Sequence, residues 1–480
     1  MAEQALDQQL QEWVGRRGRP QVARDPVNQS LIRRWVDVFE DDNPCYVDPD
    51  FAARSVYGQI VSPPTMLDVW DKPGIKMRRD AESPQANVLI ALEAAGFTST
   101  VAVNSELEFV RPIRLGEVIH SVQTLESVSE EKQTGLGRGH FVTTRSVYTN
   151  GEGDHVGDVV FRILKFMPGT GRQAPPGDGP GGPDPDPSRR PRPGINLDNQ
   201  FFWDGARRHE LRIQSCRSCS TLHFPPTPRC SACGSFDMGH IVASGRGRLY
   251  SWAAPHHPQA NGFRYPVLAG LVELEEGTRL VSNIVGCRRE HLRIGMPLEV
   301  CWLDSHPALE AGADDSRGPI TIPQFRPARP ARRTETLTIS EVAEGDELPL
   351  CPIPLTPTLI ISCAIATLDW FDAHHDPKMA VARGSKDIFA NIHTSLGLSQ
   401  RWISDWAGPE AIFRNIRVRL GAPDHPGDIM TMTGRVSAAD RASGAITVAF
   451  AGYNSLGDHV TGTADLLLPG GSAWPAKESK

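Results

Sequence analysis

The heptapeptide Asn150-Gly-Glu-Gly-Asp-His-Val156 returns later in the chain as Asn454-Ser-Leu-Gly-Asp-His-Val460. Upstream of each copy, a glycine and an acid open an apolar stretch, at Gly116-Glu117 and at Gly427-Asp428. A motif that recurs together with its upstream neighbours indicates that a structural unit has been duplicated. The sequence therefore predicts two related domains, in which each heptapeptide forms a turn between paired strands.

The length and the proline and glycine content predict where the domains divide. A chain of 480 residues is longer than one hydrophobic core usually supports. Residues 168–194 contain nine Pro and seven Gly, and no Ile, Leu, Val or aromatic residue. Such a segment cannot bury apolar surface, so we predict a disordered linker at 168–195, and a second break near 305–345. The folded regions are predicted at 1–167, 196–330 and 335–470.

The two outer regions share one order of elements: an acidic turn, a helix and then several strands. In the third region Ser385 is expected to cap a helix that ends at Gly408-Pro409. A helix followed by an antiparallel meander is typical of an α+β layer in which the sheet covers the helix. The middle region has short strands separated by glycine turns, which favour a small β-barrel.

The composition indicates a globular protein of the cytoplasm. The net charge of −7 argues against a nucleic-acid or anionic-membrane partner. No apolar run approaches the ~20 residues of a membrane span, and we expect no signal peptide. The nine cysteines are an odd number, which fits reduced thiols better than a disulfide framework. We therefore expect a cytoplasmic localisation and no membrane partner.

Four of the cysteines form two Cys-x-x-Cys knuckles. Two such knuckles supply the four thiolates of a tetrahedral zinc site, and a site with four protein ligands leaves no open position for catalysis. We predict structural Zn²⁺ here; the alternatives are a redox pair or a ribbon without metal. Residues 195–304 carry 12 Arg and 10 Asp/Glu, so the region lacks the basic face that nucleic-acid binding requires. The predicted ligands are Cys216, Cys219, Cys230 and Cys233.

A candidate catalytic site is the segment Asp369-Trp-Phe-Asp-Ala-His374. Acid–base catalysis on water needs one group that accepts a proton and one that returns it, and a carboxylate with an imidazole meets this need. His375 and Asp376 adjoin the pair as alternates or supporting groups. The same spacing is also typical of solvated loop residues. The matching turn of the first copy, Asp41-Asp-Asn-Pro-Cys-Tyr46, has no histidine.

Around this pair the sequence resembles the MaoC-like (R)-specific enoyl-CoA hydratases. Their signature is Gly-Asp-x-Asn-Pro-x-His, followed by an Ala-rich stretch and a His-Gly. Asp369 matches the aspartate and His374 the histidine, while Phe371-Asp372 replaces Asn-Pro. Asn391-Ile392 fall where the His-Gly of the family supplies a backbone N–H to the thioester oxyanion. The resemblance implies a hot-dog fold in which Asp369 and His374 position a water that adds to an enoyl thioester.

The first copy resembles the same family but departs from it differently. It keeps Asn43-Pro44, but Tyr46 stands in place of the histidine. The oxyanion position falls near Pro63-Pro64, and proline has no N–H to donate. This half is therefore expected to be non-catalytic, with a structural or substrate-binding role.

The middle region resembles the zinc-ribbon and OB-fold family associated with thiolase-like enzymes. The resemblance rests on Phe202-Trp203, the four cysteines, Gly245-Arg-Gly247 and Phe325-Arg-Pro327. In that family the OB fold acts through acyl-CoA and protein partners. The predicted fold class is thus α+β, with two hot-dog domains flanking a zinc ribbon and an OB-fold barrel. This order resembles a fusion of both subunits of the actinobacterial steroid side-chain enoyl-CoA hydratases.

The resemblance implies hydration of an α,β-unsaturated acyl-CoA in the degradation of steroid side chains such as that of cholesterol. Coenzyme A would be part of the substrate. A thiolase-like aldolase that cleaves the hydrated product is the expected partner of the ribbon/OB domain, and a homodimer is expected by analogy. Two alternatives stay open: an acyl-CoA-binding scaffold without enzymatic activity, and a hydratase of simple fatty or polyketide acyl-CoA.

Overall fold

A computed structural model of the chain describes residues 2–75, 82–171, 186–306 and 320–475. Residues 172–185 of the predicted linker and residues 307–319 of the second predicted break lie outside the described residues. The chain divides into two compact units. The larger comprises Met1–Pro180, Pro330–Pro349 and Ile353–Lys480, and the smaller comprises Gly181–Arg329 and Leu350–Pro352.

The N-terminal half of the larger unit combines short helices with antiparallel strands. Asn28 caps the second helix, since its side chain accepts the N–H of Leu31 at 3.0 Å, and Trp35 and Phe39 of that helix are buried. The helices are α1 (Ala2–Gln11), α2 (Gln29–Phe39), α3 (Pro44–Val47), α4 (Pro49–Arg54) and α5 (Pro84–Ala94). The strands are β1 (Gln21–Val22), β2 (Ser99–Phe109), β3 (Ile119–Val128), β4 (Lys132–Gln133), β5 (Arg138–Asn150) and β6 (His155–Phe166).

The smaller unit contains a ribbon and a barrel. Its elements are α6 (Gln200–Ala206), β7 (Leu211–Cys216), β8 (Leu222–His223), β9 (Met238–Ala243), β10 (Arg246–Ala253), β11 (Ala269–Leu274), β12 (Arg279–Asn283), β13 (Pro297–His306) and β14 (Ile320–Pro327). The ribbon sheet has the order β8-β7-β9, and the barrel sheet has the order β12-β11-β10-β13-β14. A bridge between Ile284 and Phe325 brings the two ends of the barrel sheet together, so the barrel is nearly closed.

The C-terminal half of the larger unit is built around one long buried helix. The helices are α7 (Pro357–Ala366), α8 (Pro377–Ala382) and α9 (Ile392–Ala407), and the strands are β15 (Glu347–Pro354), β16 (Ile412–Leu420), β17 (Ile429–Asp440), β18 (Ala445–Asn454) and β19 (Gly457–Leu467). Nearly every residue of α9 is buried. Trp402 of α9 packs against Phe450 of β18, with ring centroids 6.5 Å apart. The sheet therefore covers the helix, as in a hot dog.

One antiparallel sheet joins the two halves of the larger unit. It has 11 strands, in the order β1-β3-β5-β6-β2-β16-β19-β18-β17-β15, and β4 pairs with β5. The halves meet where β2 pairs with β16, with Leu107 opposite Ile416. The packing and topology confirm the predicted fold class, two hot-dog domains with a zinc ribbon and an OB-type barrel.

The two halves correspond residue by residue around the acidic turns. The same number of residues separates Asp41 from Asp369, Tyr46 from His374 and Pro63 from Asn391. Asp48 caps α4 as Asp376 caps α8. The correspondence fails at α9. Among the residues described for the N-terminal half, the matching place holds only a short 3-10 turn, Pro64–Met66.

The predicted start of the long helix was wrong. Ser385 lies in the loop before α9, where its hydroxyl donates to Asp387 O at 2.8 Å. The N-cap is Asn391, whose side-chain oxygen accepts the N–H of Thr394 at 2.7 Å. The predicted end is confirmed, because Gly408 follows α9 with φ 102, a conformation that favours glycine. In the part of the chain that the structure describes, no helix is long and apolar enough to span a membrane.

Candidate active site

The predicted acid–base pair lies beside the start of α9. Asp369 follows α7 after a left-handed residue, Leu368 with φ 51, and its N–H donates to Ala364 O at 2.9 Å. His374 closes a 3-10 turn and is buried. The structure thus brings together all four residues that the sequence analysis placed in the site: Asp369, His374, Asn391 and Ile392.

Asp369 and His374 face each other across a gap. Asp369 Oδ2 lies 3.7 Å from His374 Nε2, which is too long for a direct hydrogen bond. His374 Nδ1 lies 2.8 Å from Phe389 O. Because a carbonyl oxygen only accepts, Nδ1 carries the hydrogen, and a neutral imidazole then presents its lone pair at Nε2. One water between Nε2 and the carboxylate could bond to both groups.

The electrostatics favour an ionised acid and a neutral base. Burial raises the pKa of Asp369, but the nearby His374, Lys72 and His393 outweigh it and hold that pKa below its usual value. Burial lowers the pKa of His374 and outweighs the attraction of Asp369. Near neutral pH both groups are therefore in the form that accepts a proton.

Asn391 positions Asp369 through its side chain, whereas the sequence predicted only a backbone role for Asn391-Ile392. Its Nδ2 donates to Asp369 Oδ2 at 3.0 Å and to Thr367 Oγ1 at 2.9 Å. Its Oδ1 caps α9 through Thr394. The first N–H groups of a helix have no partner within the helix and carry a partial positive charge. In the described residues no hydrogen-bond partner is seen for the N–H of Ile392, the donor expected for the oxyanion.

Two charged residues from the N-terminal half also reach this site. Lys72 Nζ lies 2.5 Å from His393 Nε2 and 3.3 Å from Thr367 O. Asp68 Oδ2 lies 3.5 Å from His393 Nδ1. No sequence signal pointed to Lys72 or Asp68, because they belong to the half without the acid–base pair.

The matching place in the N-terminal half is filled by a side chain from α9. Gln400 Oε1 accepts from Thr65 N at 3.2 Å and from Thr65 Oγ1 at 2.6 Å. Gln400 Nε2 lies 3.4 Å from both Asp41 Oδ2 and the hydroxyl of Tyr46. Burial raises the pKa of Asp41 to about 6. An apolar pocket borders this place, lined in part by Tyr46, Pro64, Phe109, Ile412 and Phe413.

The repeated heptapeptides form turns between strands, but their histidines differ. His155 is half-exposed and pairs with Asp158. His459 is buried, and its Nε2 lies 2.7 Å from Ser395 Oγ and 3.2 Å from Asp424 Oδ2. The backbone oxygen of Asp424 accepts the N–H of Ala390. The second heptapeptide therefore braces the loop that leads into α9.

The four predicted cysteine ligands form one cluster in the ribbon. Their sulfur atoms all lie within 4.8 Å of one another. The Cys216–Cys233 and Cys219–Cys230 sulfur distances are 3.6 and 3.5 Å, near the ~3.8 Å expected between ligands of a tetrahedral Zn–S site. His223 Nε2 lies 3.4 Å from Cys230 Sγ. The cluster is consistent with a zinc-ribbon zinc site.

Three segments of the chain match known families. Residues 12–159 match the family described as FAS1-like, dehydratase domain region. Residues 203–239 match the ChsH2 rubredoxin-like zinc ribbon domain, and residues 240–303 match the ChsH2 C-terminal OB-fold domain. A solved MaoC-like dehydratase superposes with a TM-score of 0.52 at 16% identity, over 96% of this chain and 99% of that one, which shows a shared fold.

Curated relatives cover both halves. The probable enoyl-CoA hydratase alpha subunit of Thermomonospora curvata is 38% identical over 335 residues, which are 69% of this chain and 99% of that protein. The 3-oxo-4,17-pregnadiene-20-carboxyl-CoA hydratase alpha subunit of Mycobacterium tuberculosis is 36% identical over 60% of this chain and 89% of that protein. The beta subunit of that name is 50% identical over 26% of this chain and 95% of that protein. The chain therefore belongs to the MaoC-like enoyl-CoA hydratase family whose members carry a ChsH2-type zinc ribbon and OB-fold domain.

Proposed function

We propose that this chain adds water to an α,β-unsaturated acyl-CoA through Asp369 and His374. The observation that carries the proposal is the half-buried carboxylate and the buried imidazole, 3.7 Å apart, beside the start of α9. A scaffold that only bound acyl-CoA would have no need of a buried acid–base pair held in this way by Asn391 and Phe389 O.

In the proposed mechanism the thioester carbonyl accepts a hydrogen bond from the N–H of Ile392 at the start of α9. This donor stabilises the negative charge that develops on the oxygen and draws electrons from the double bond. Water held between Asp369 and His374 attacks the β-carbon. One of the two groups takes a proton from the water, and the pair returns that proton to the α-carbon, so the pair is unchanged at the end.

A steroid side-chain enoyl-CoA is the proposed substrate. Two relatives are named as the alpha and the beta subunit of 3-oxo-4,17-pregnadiene-20-carboxyl-CoA hydratase, and this chain contains segments that match each of them. Among the residues described for the N-terminal half, only a short turn lies where α9 lies in the other half. Because the N-terminal half is proposed to be non-catalytic, it can leave space at this position for a bulky ring system.

The smaller unit is proposed to bind structural zinc and to dock a thiolase-like aldolase. Cys216, Cys219, Cys230 and Cys233 would hold the ion, and with four thiolates no position is left for catalysis. Several large apolar side chains of this unit are exposed and available to such a partner. They include Leu197, Phe236, Val242, Val281 and Ile294.

The proposed function is tested by measuring hydration with two substrates. Wild type and the Asp369→Asn and His374→Ala variants are assayed with a steroid enoyl-CoA and with crotonyl-CoA. We expect turnover of the steroid substrate by wild type and a loss of about 10²-fold or more in each variant. Faster turnover of crotonyl-CoA would favour a hydratase of simple acyl-CoA, and full activity in both variants would reject the assigned pair.

A further inference from the structure

Two side chains at corresponding positions, one from each half of the larger unit, reach into the site of the other half. Counting from the corresponding aspartates, Thr65 matches His393 and Lys72 matches Gln400. Gln400 contacts Thr65 in the N-terminal half. Lys72 makes the reciprocal contact with His393 in the C-terminal half. The two contacts are thus related by the duplication, but only the contact made by Lys72 involves a charged side chain.

Lys72 is connected to Asp369 through a short chain of hydrogen bonds. Its ammonium group donates to Thr367 O at 3.3 Å, and Thr367 Oγ1 accepts from Asn391 Nδ2 at 2.9 Å. The same Nδ2 donates to Asp369 Oδ2 at 3.0 Å. The cation is therefore linked to the carboxylate through Thr367 and the side-chain amide of Asn391.

The contact with Lys72 also determines the state of His393. An ammonium group has only donors, so His393 Nε2 must accept and the neutral ring carries its hydrogen on Nδ1, toward Asp68. Burial lowers the pKa of His393, and the charge of Lys72 lowers it further against the attraction of Asp68. Among the described residues, Asp71, Asp369 and His393 interact electrostatically with Lys72, while Asp68 lies at the Nδ1 side of His393 and His374 beside Asp369.

We propose that Lys72, supplied by the N-terminal half, is a positioning residue of the Asp369–His374 site. It fixes Thr367 and His393 around the carboxylate and favours the ionised form of Asp369 in a buried setting. The half that lost its own acid–base pair is then required for the chemistry of the other half. This inference rests on the proposed function and deepens it.

The test compares Lys72→Met and Lys72→Gln with Lys132→Met. Lys132 is an exposed lysine of the same half, so its replacement removes the same charge away from the site. Steady-state hydration is measured across the acidic pH range. For Lys72→Met we expect kcat/KM to fall by about 10-fold to 10²-fold, the loss typical of misplaced catalytic groups, with the acidic limb of the profile moved to higher pH. Lys132→Met should behave as wild type.

Lys72→Gln separates charge from packing, because glutamine keeps a hydrogen-bond donor without the charge. A shifted acidic limb in this variant supports the inference. If the acidic limb of the pH profile is unshifted, or if the variant fails to fold, the inference is overturned and Lys72 contributes only to the stability of the fold. Asp369→Asn in the same assay distinguishes the two proposals: if it is inactive while the Lys72 variants match wild type, only the role of Lys72 fails. If Asp369→Asn is fully active, the proposed function fails.

Discussion

Replacing Asn391 by aspartate should damage catalysis while sparing the helix cap. Aspartate keeps an oxygen to accept the N–H of Thr394, 2.7 Å away in the wild type, so a cap worth about 1 kcal/mol is retained. In the variant, a carboxylate oxygen replaces the Nδ2 donor that lies 3.0 Å from Asp369 Oδ2 in the wild type. Two carboxylates at this distance share one proton, which raises the pKa of Asp369.

The expected result is a loss of about 1.5–3 kcal/mol in the free energy of unfolding at pH 7, the worth of a hydrogen bond to a charged group. The acidic limb of the hydration profile should also move to higher pH. Urea unfolding and the pH dependence of kcat/KM measure the two effects. Asn28→Asp is the matched control, since Asn28 caps α2 in the same way and its Nδ2 donates to Pro26 O instead of to Asp369. A wild-type pH profile in Asn391→Asp would refute the positioning role of Asn391.

Three further predictions concern the zinc, the packing of α9 and the buried acid of the N-terminal half. Metal analysis should find one Zn²⁺ per chain, and Cys216→Ser should lose the metal and expose the ribbon to limited proteolysis. Gly397→Ala should lower the free energy of unfolding by about 1–3 kcal/mol, because the new methyl group would lie 2.5 Å from the ring of Phe39. Gly135→Ala is the control: a methyl group there would meet open space, so the free energy of unfolding should hardly change. The pKa of Asp41 is raised to about 6, so Asp41 should lower the free energy of unfolding by up to about 3 kcal/mol as pH rises from 4 to 7. This contribution should be missing in Asp41→Asn, as measured by urea unfolding of both proteins at both pH values.

The sequence was informative about the site where the residues involved lie close together in the chain. The Asp369–His374 spacing and the two Cys-x-x-Cys knuckles identified groups that the structure brings together. The start of α9 was predicted at Ser385 because serine is a good N-cap in isolation. Burial of Asn391 between Thr394 and Asp369 decided otherwise, and local propensity cannot show that contact.

Contacts across the duplication could not be found in one sequence. Lys72 lies in the half that lacks the histidine, and its partner His393 is distant in the chain. His459 was predicted to lie in a simple turn between strands, since its counterpart His155 has the same neighbours in sequence. The structure places the two in different surroundings, because only His459 faces the buried Ser395 of α9.

Hydration of a steroid enoyl-CoA by wild type, Asp369→Asn and His374→Ala is the decisive test of catalysis by the Asp369–His374 pair. The measurement is the rate of loss of the conjugated enoyl thioester under saturating substrate, with folding of each variant checked by circular dichroism. We expect turnover by wild type and a loss of about 10²-fold or more in each folded variant. Wild-type rates in both variants would contradict this expectation.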